Sequence, residues 1–172
     1  DLALPASSAQ PVSKSAVTQA RQRLGAEPLG HLFDQTAQAW CRQDAERHAW
    51  QGLSLWAMDG TTFRTPDSAD NRAHFGAQAY ASGKVASYPQ VRAVSVTAIP
   101  THLVSDIAFG AYGKNEMLYA KTLIGRIVDH SLTVFDRGFL CAEILLGLTL
   151  GGQERHYLIP AKSNTQWDVL SG

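Results

Sequence analysis

Apolar side chains near the start of the chain recur with the spacing of an α-helix. They are Val17, Ala20 and Leu24, which share one helical face. Ser13 or Ser15 can cap the first turn by accepting a backbone N–H hydrogen bond, and Gly25 stands where a helix would end. After an extended lead-in rich in Pro, Ser and Ala, the pattern predicts a short helix over residues 13–25.

A second helix is predicted directly after the glycine-containing turn. Pro28 suits its first turn, where a missing N–H leaves no hydrogen bond unmade, and the helical pattern continues to about His48. Two helices joined in this way form either a helix-turn-helix that contacts DNA or a pair packed on the main domain. The pattern fits both interpretations equally. We place the end of this N-terminal helical region at residue 50.

The apolar pattern changes to that of β-strands after residue 52. LSLWAMDG (53–60) predicts a buried strand that delivers Asp59 to its end. Residues 61–87 are rich in Asp, Asn, Gly and Pro, which predicts a long loop. YPQVRAVSVTAI (88–99) alternates as a strand, and HLVSDIAFG (102–110) follows as its hairpin partner.

The second half of the chain alternates helices and strands. Asn115 can cap a helix whose apolar stripe comprises Met117, Leu118, Ala120, Leu123, Ile124, Ile127 and Val128. SLTVFDRG (131–138) predicts a strand that ends in Asp136, residues 143–147 belong to a helix, and HYLIPAK (156–162) predicts a last strand. The order strand, strand, strand, helix, strand, helix, strand predicts an α/β protein with a mixed sheet, as in the ribonuclease H-like fold.

Composition narrows the class of protein. A length of 172 residues with 45% hydrophobic residues suits one domain with a real core, and 17% charged residues excludes a highly charged disordered chain. Lys plus Arg and Asp plus Glu are 15 each, which neither indicates nor excludes nucleic-acid binding, since a local basic face is sufficient for phosphate contacts. The two cysteines lack the spacing of zinc ligands and are expected to be reduced thiols.

The sequence contains no membrane or secretion signal that we recognise. No apolar run reaches the roughly 18 residues needed to span a bilayer, and the N-terminus lacks the basic-then-apolar order of a secretion signal. We therefore expect no membrane association.

Asp59 and Asp136 share one local setting: an apolar run, the aspartate, and a turn with glycine. Two carboxylates at the ends of adjacent strands can bridge hard divalent cations, which prefer oxygen ligands. In a two-metal site the ions lie about 3.5–4 Å apart and hold the attacking and leaving oxygens of a phosphoryl transfer. An aspartate before a glycine also caps turns, and for the short motif alone that interpretation is the commoner one.

The sequence around the two aspartates resembles the insertion-sequence-4 family of DDE transposases. The matching segments are SAVTQARQRLGAEPL (15–29), MDGTTFRTPDSADNRAHFG (58–76), LTVFDRGFLCAEIL (132–145) and YLIPAKSNTQW (157–167). They occur in the family's order, and the aspartates are 136 − 59 = 77 residues apart, a separation of the expected kind. The resemblance extends from about Ser13 to Trp167.

The resemblance implies a ribonuclease H-like catalytic domain over residues 51–172, preceded by the helical region of residues 1–50. Asp59 and Asp136 would be the first two of three carboxylates that hold two Mg²⁺ or Mn²⁺ ions. The third is a glutamate on a later helix, within a pattern of Tyr, Arg, Glu and Lys that this sequence lacks; Glu143 and Glu154 follow Asp136 too closely. The chain begins without Met and stops where a β-stranded insertion would start, so we expect it to be incomplete.

The resemblance implies a DNA transposase that cleaves and transfers strands at the ends of an insertion sequence. Its partners would be double-stranded DNA, as terminal inverted repeats and target, and a second copy on paired ends, in the bacterial cytoplasm at the nucleoid. Arg64, Arg72, Arg137 and Lys162 are candidate phosphate contacts, and each is otherwise a solvated or ion-paired side chain. Glu116 is sufficiently explained by the helix dipole.

Two other functions compete with this interpretation. The first is a truncated transposase remnant that is inactive and at most binds DNA, which the missing third carboxylate favours. The second is a stand-alone ribonuclease H-like nuclease, which would be expected to keep its remaining acidic residues on a compact chain.

Overall fold

The structure is a computed structural model that describes residues 12–45 and 47–166. The predicted lead-in and the predicted start of a β-stranded insertion fall largely or wholly on residues 1–11 and 167–172, outside that part of the chain. The described backbone divides into two compact units between Thr36 and Ala37. None of the described helices is long and apolar enough to cross a bilayer.

The first unit contains α1 (Lys14–Leu24) and the start of α2 (Glu27–Ala45). Ser13 caps α1 as predicted, because its Oγ accepts a hydrogen bond from the Ala16 N–H at 3.2 Å. Gly25 ends α1 with a φ of 73°, and its N–H donates to the Arg21 carbonyl. Both predicted helices are confirmed, although α2 ends three residues before His48.

The second unit contains one five-stranded mixed sheet. Its strands are β1 (Ser54–Arg64), β2 (Gln90–Ala98), β3 (Val104–Ala111), β4 (Ser131–Phe135) and β5 (Arg155–Leu158). They lie in the order β3-β2-β1-β4-β5. The pairs β1–β2 and β2–β3 are antiparallel, and the pairs β1–β4 and β4–β5 are parallel. The predicted mixed α/β architecture is confirmed.

The core lies where helices α4 (Glu116–Ile124) and α5 (Ala142–Leu150) pack with the sheet. Its most deeply buried large side chains include Met58, Val94, Phe139, Ile144 and Leu148. Asn115 caps α4 as predicted, with its Oδ1 accepting from the Met117 N–H at 3.0 Å. The helix stops at Ile124, so Ile127 of the predicted stripe is buried in a non-helical turn. Neither cysteine forms a disulfide, in agreement with the expected reduced thiols.

The predicted long loop of residues 61–87 is wrong in two respects. Its first four residues continue β1, because they pair antiparallel with β2 as far as Arg64 and Gln90. Asp59 therefore lies inside β1 and not at its end. Further along, α3 (Ala69–Phe75) forms a short helix capped by Ser68, whose Oγ accepts from the Asn71 N–H.

The last predicted strand is shorter than expected. Regular pairing of β5 with β4 ends at Leu158, and Lys162 lies beyond the strand in a turn. Pro160 cannot donate a backbone hydrogen bond, which is consistent with the end of the ladder before it.

Candidate active site

Parallel pairing brings the two predicted aspartates side by side. Met58 of β1 pairs with Phe135 of β4, and the next residue on each strand is an aspartate, Asp59 and Asp136. Neighbouring strands lie about 4.8 Å apart, so the two aspartates stand next to each other. They lie at the edge of the sheet formed by the carboxyl ends of its parallel strands. Asp136 directly follows the carboxyl end of β4, whereas β1 continues past Asp59 as far as Arg64, paired with β2.

Each aspartate uses one carboxylate oxygen to hold its own backbone. Asp59 Oδ1 accepts from the Gly60 N–H at 2.8 Å, and Asp136 Oδ1 accepts from the Gly138 N–H at 2.7 Å. The second bond caps a turn of 3₁₀ helix, Arg137–Phe139, so the turn-capping interpretation is correct for Asp136. A Cβ at position 138 would lie 2.8 Å from Asp136 Oδ1, which explains the glycine two residues after the aspartate. Both carboxyl groups remain exposed to solvent.

Two of the four candidate phosphate contacts lie beside the Asp136 turn. Arg137 follows Asp136 directly and is exposed. Lys162 is brought to the same turn, since its Nζ donates to the Leu140 carbonyl at 3.3 Å. Both residues therefore belong to, or contact, the turn of residues 136–140.

The other two candidates lie on the segment after Asp59. Arg64 is the last residue of β1, and its guanidinium stands 4.3 Å from the centre of the Tyr88 ring. Arg72 is on α3, where its Nε is paired with Asp67 and its Nη2 donates to the Ser87 carbonyl at 2.9 Å. The Arg72 hydrogen bond holds the pKa of Asp67 below its usual value and raises the pKa of Arg72. Arg72 thus links Asp67 to Ser87, near the two ends of the segment between β1 and β2.

Glu116, expected from the sequence to serve only the helix dipole, lies against Gly60, the residue after Asp59. Its carboxylate occupies the space above Gly60, because a Cβ added to that glycine would overlap it. Burial raises the pKa of Glu116, the charge of Arg92 lowers it, and the charges of Asp136 and Asp59 raise it further. The sequence signal for this contact is Gly60, the residue after Asp59, because a glycine inside a strand often marks the close approach of another group.

Arg92 is the cation that opposes the upward shift of the Glu116 pKa. It lies on β2 opposite Thr62 of β1 and opposite Gly110 of β3. Its guanidinium stacks 4.7 Å from the centre of the Tyr112 ring, and its Nε is buried without a hydrogen-bond partner. Nothing local in the sequence distinguishes Arg92 from other strand residues, so it could not be predicted as a residue of interest.

Within residues 12–45 and 47–166, no group of three or more His, Cys, Asp or Glu side chains is already gathered for a metal ion. The oxygen donors Asp59 and Asp136 suit a hard divalent cation better than a soft one. Each aspartate also keeps a second carboxylate oxygen that no backbone bond occupies.

Comparison with known families identifies the class of protein that this site defines. Residues 50–169 match the family described as the Transposase DDE domain. Residues 1–34 match the family described as the Insertion element 4 transposase N-terminal region. The chain belongs to the insertion-element-4 group of DDE transposases.

Two curated relatives from Escherichia coli (strain K12) are similar to nearly the whole chain. The transposase InsG for insertion sequence element IS4 is 40% identical over 159 residues, which are 92% of this chain and 36% of that protein. The putative transposase InsZ is 38% identical over 162 residues, 92% of this chain and 53% of that protein. The chain thus spans about a third to a half of the length of these relatives. No solved structure matches it significantly.

Proposed function

We propose that the protein acts in DNA transposition, by divalent-cation-dependent cleavage of phosphodiester bonds and strand transfer at the ends of an insertion sequence. The observation that carries this proposal is that Asp59 and Asp136 each follow directly after one member of the paired residues Met58 and Phe135 on parallel strands. Their position on neighbouring parallel strands suits two carboxylates that act on the same phosphate.

The order and direction of the strands support a ribonuclease H-like fold for residues 51–172. An antiparallel three-stranded unit, β3-β2-β1, continues through a helical crossover into the parallel strands β4 and β5. The two family matches, to residues 1–34 and 50–169, support a separate N-terminal region over residues 1–50.

Asp59 and Asp136 are the residues that would hold Mg²⁺ or Mn²⁺ in a two-metal site. When bound, such ions activate an oxygen nucleophile and stabilise the departing oxygen of the phosphodiester. The backbone bonds from Gly60 and Gly138 hold each carboxyl group through its Oδ1, and its Oδ2 would be the oxygen offered to a metal ion. The exposure of both groups leaves the edge open to a large substrate such as double-stranded DNA.

Arg137 and Lys162 would bind DNA phosphates near Asp136, which the exposure of Arg137 and the bond of Lys162 to the Leu140 carbonyl support. Arg64 and Arg72 would bind DNA phosphates on the segment after Asp59. Arg72 is less available for this, because it already bonds to Asp67 and Ser87. The helical pair of the first unit remains a candidate contact for the terminal inverted repeats. Pairing of two element ends would require a homodimer, acting in the bacterial cytoplasm at the nucleoid.

Strand cleavage of DNA that carries the element's terminal repeats, with Mg²⁺ or Mn²⁺, tests the proposal. The assay compares the 172-residue chain with any longer reading frame that contains it. Asp59→Ala and Asp136→Ala are expected to abolish cleavage, and Asp70→Ala, an exposed aspartate on α3, to leave it unchanged. Cleavage that survives Asp59→Ala would show that the assignment is wrong.

The alternative is a transposase remnant that is inactive and at most binds DNA. It is favoured by the finding that the described residues contain no group of three acidic or imidazole side chains gathered for a metal. The same assay decides, since strand cleavage by the 172-residue chain alone would exclude a remnant.

A further inference from the structure

A small β-hairpin, residues 78–86, lies in the segment between β1 and β2. Its two arms meet at Ala79 and Val85, which form an antiparallel bridge. A second backbone bond joins the arms, because the Ala86 N–H donates to the Gln78 carbonyl at 2.8 Å. The sequence predicted only an irregular loop here, so the hairpin is a structured element whose use is open.

The tip of the hairpin is a three-residue loop, residues 81–83. The Gly83 N–H donates to the Tyr80 carbonyl at 2.9 Å, and the Tyr80 N–H donates to the Lys84 carbonyl at 2.8 Å. Gly83 has a φ of 78°, as the last residue of such a loop requires. Tyr80 and Lys84 therefore stand opposite each other where the loop closes, and side chains in that relationship project on the same side of a hairpin.

The base of the hairpin is fastened to the sheet and to α3. The Gln78 N–H donates to the side-chain oxygen of Gln90, the first residue of β2, at 3.2 Å. Gln90 is buried, and its own N–H donates to the Gly76 carbonyl at 3.0 Å. Arg72 of α3 donates to the Ser87 carbonyl just after the hairpin. The hairpin is thus held at its base and exposed at its tip.

The tip offers a tyrosine and a lysine that the protein itself does not use. Tyr80 is 47% exposed, and Lys84 is exposed. Among the residues that the structure describes, none forms an ion pair or a side-chain hydrogen bond with either of them. The chain also has no acidic residue between Asp70 and Asp106. This stretch is therefore positively charged, which suits a polyanion as partner.

The hairpin continues a surface that is already a candidate for phosphate contact. Tyr88 follows it by two residues, and the Arg64 guanidinium lies 4.3 Å from the centre of the Tyr88 ring. Arg64 is 64 − 59 = 5 residues after Asp59 on β1, or roughly 17 Å at about 3.3 Å per residue. Since phosphates of one DNA strand rise about 3.4 Å per base pair, that length corresponds to about five base pairs.

We propose that the hairpin of residues 78–86 is a DNA-binding element, in which Lys84 and Tyr80 contact the phosphate backbone of duplex DNA several base pairs away from the phosphate at Asp59 and Asp136. Lys84 supplies a positive charge, and the Tyr80 hydroxyl donates a hydrogen bond to a phosphate oxygen. The small residues of the loop, Ala81, Ser82 and Gly83, let the backbone approach closely. The inference rests on the proposed function of the aspartate site.

Binding of the 172-residue chain to a fluorescently labelled duplex of arbitrary sequence tests the role of Lys84. Lys84→Gln removes one phosphate contact, so it should reduce the slope of log Kd against log salt concentration by about 1. Lys84→Arg keeps the charge and should leave the slope unchanged. Lys121→Gln is the matched control, because Lys121 is already paired with Glu143 on the surface of the helices.

The role of Tyr80 has a different signature in the same assay. Tyr80→Phe removes only the hydroxyl, and it should weaken binding about two- to tenfold, the loss of one hydrogen bond. The salt slope should not change, because no charge is lost. Tyr157→Phe is the control, since Tyr157 is similarly exposed, at 42%, but lies on β5 at the far edge of the sheet.

The outcomes separate this inference from the proposed function. If Arg137→Gln lowers the salt slope while Lys84→Gln and Tyr80→Phe bind as the unmodified chain does, the hairpin inference is wrong and the proposed function stands. If the unmodified chain binds no duplex at low salt, both are contradicted. If Tyr80→Phe or Lys84→Gln changes the sedimentation coefficient but not the DNA affinity, the hairpin joins two copies of the chain and the inference is overturned. Circular dichroism verifies that each variant is folded.

Discussion

Arg155 donates from its Nε to Asp129 Oδ1 at 2.8 Å, with the arginine side chain only 9% exposed and the aspartate on the surface. Asp129 also accepts from the Gln153 N–H at 3.1 Å. The pair ties the start of β5 to the turn before β4, at the end of the sheet opposite the candidate active site. Gly152 provides the room, because a Cβ there would overlap both side chains.

This ion pair predicts a defined pH dependence of stability. The Gln153 N–H and then Arg155 lower the pKa of Asp129 in the folded state. The stabilisation is therefore complete above the unfolded pKa of about 3.9 and is lost as the pH falls through the lower folded value. Thermal unfolding of Asp129→Asn should show a lower Tm at pH 7 and a difference from the unmodified chain that shrinks below about pH 4. A difference that is constant from pH 7 to pH 3 would contradict the assignment.

Helix α5 offers a matched test of the core. Leu148 is fully buried, and Leu146 on the same helix is 55% exposed. Leu148→Ala is expected to lower the free energy of unfolding by about 2–5 kcal/mol, because it removes apolar contacts and leaves a cavity. Leu146→Ala should change it by no more than about 0.5 kcal/mol. Urea denaturation followed by circular dichroism measures both, and similar losses would show that α5 does not bury the face described.

The contact between Gly60 and Glu116 predicts a non-additive pair of substitutions. Gly60→Ala places a Cβ in the space of the Glu116 carboxylate, which must then move; because that carboxylate is the end of a flexible, half-buried side chain, the protein should lose only about 0.5–1 kcal/mol of stability. In a Glu116→Ala background the same change should cost clearly less, since the colliding group is gone. Denaturation of the four proteins in the presence of a chelator gives the coupling energy. A coupling energy near zero would place Glu116 away from Gly60.

The positions of Arg137 and Lys162 predict a salt-dependent effect on DNA binding. Removing one phosphate contact should reduce the slope of log Kd against log salt concentration by about 1. Arg137→Gln and Lys162→Gln are each expected to show this change. Lys121→Gln, on the surface of α4 and paired with Glu143, serves as the control. Fluorescence anisotropy with labelled duplex measures the slopes, and unchanged slopes for both variants would remove these residues from the DNA interface.

The strands and most helices could be predicted because their signals are local. Alternating or continuous apolar runs marked the strands, and capping residues such as Ser13 and Asn115 marked two helix starts. The short helix α3 was missed, because its seven residues have no apolar stripe and its ends are held by Ser68 and by the bonds of Arg72. The continuation of β1 to Arg64 was missed because exposed, polar residues join a strand only through their partner β2.

The candidate site was predictable in the same uneven way. Asp59 and Asp136 share a local pattern, an apolar run followed by an aspartate, that can be recognised in the sequence. The parallel pairing of β1 and β4 then places the two aspartates side by side. Glu116 is 116 − 60 = 56 residues from the glycine that it covers, and no local pattern links them. That contact depends on where α4 crosses the sheet, which the packing of Tyr119 over Gly110 decides.

The register between β1 and β4 also determines which changes in chain length the protein can tolerate. A single residue inserted into or deleted from Ser54–Met58 or Ser131–Phe135 would turn the following aspartate to the other face of the sheet. The segment between Arg64 and Gln90 is under no such constraint, because it begins and ends on one antiparallel pair. Natural variation in length should therefore be frequent in that segment and absent from the two short strands that lead to the aspartates.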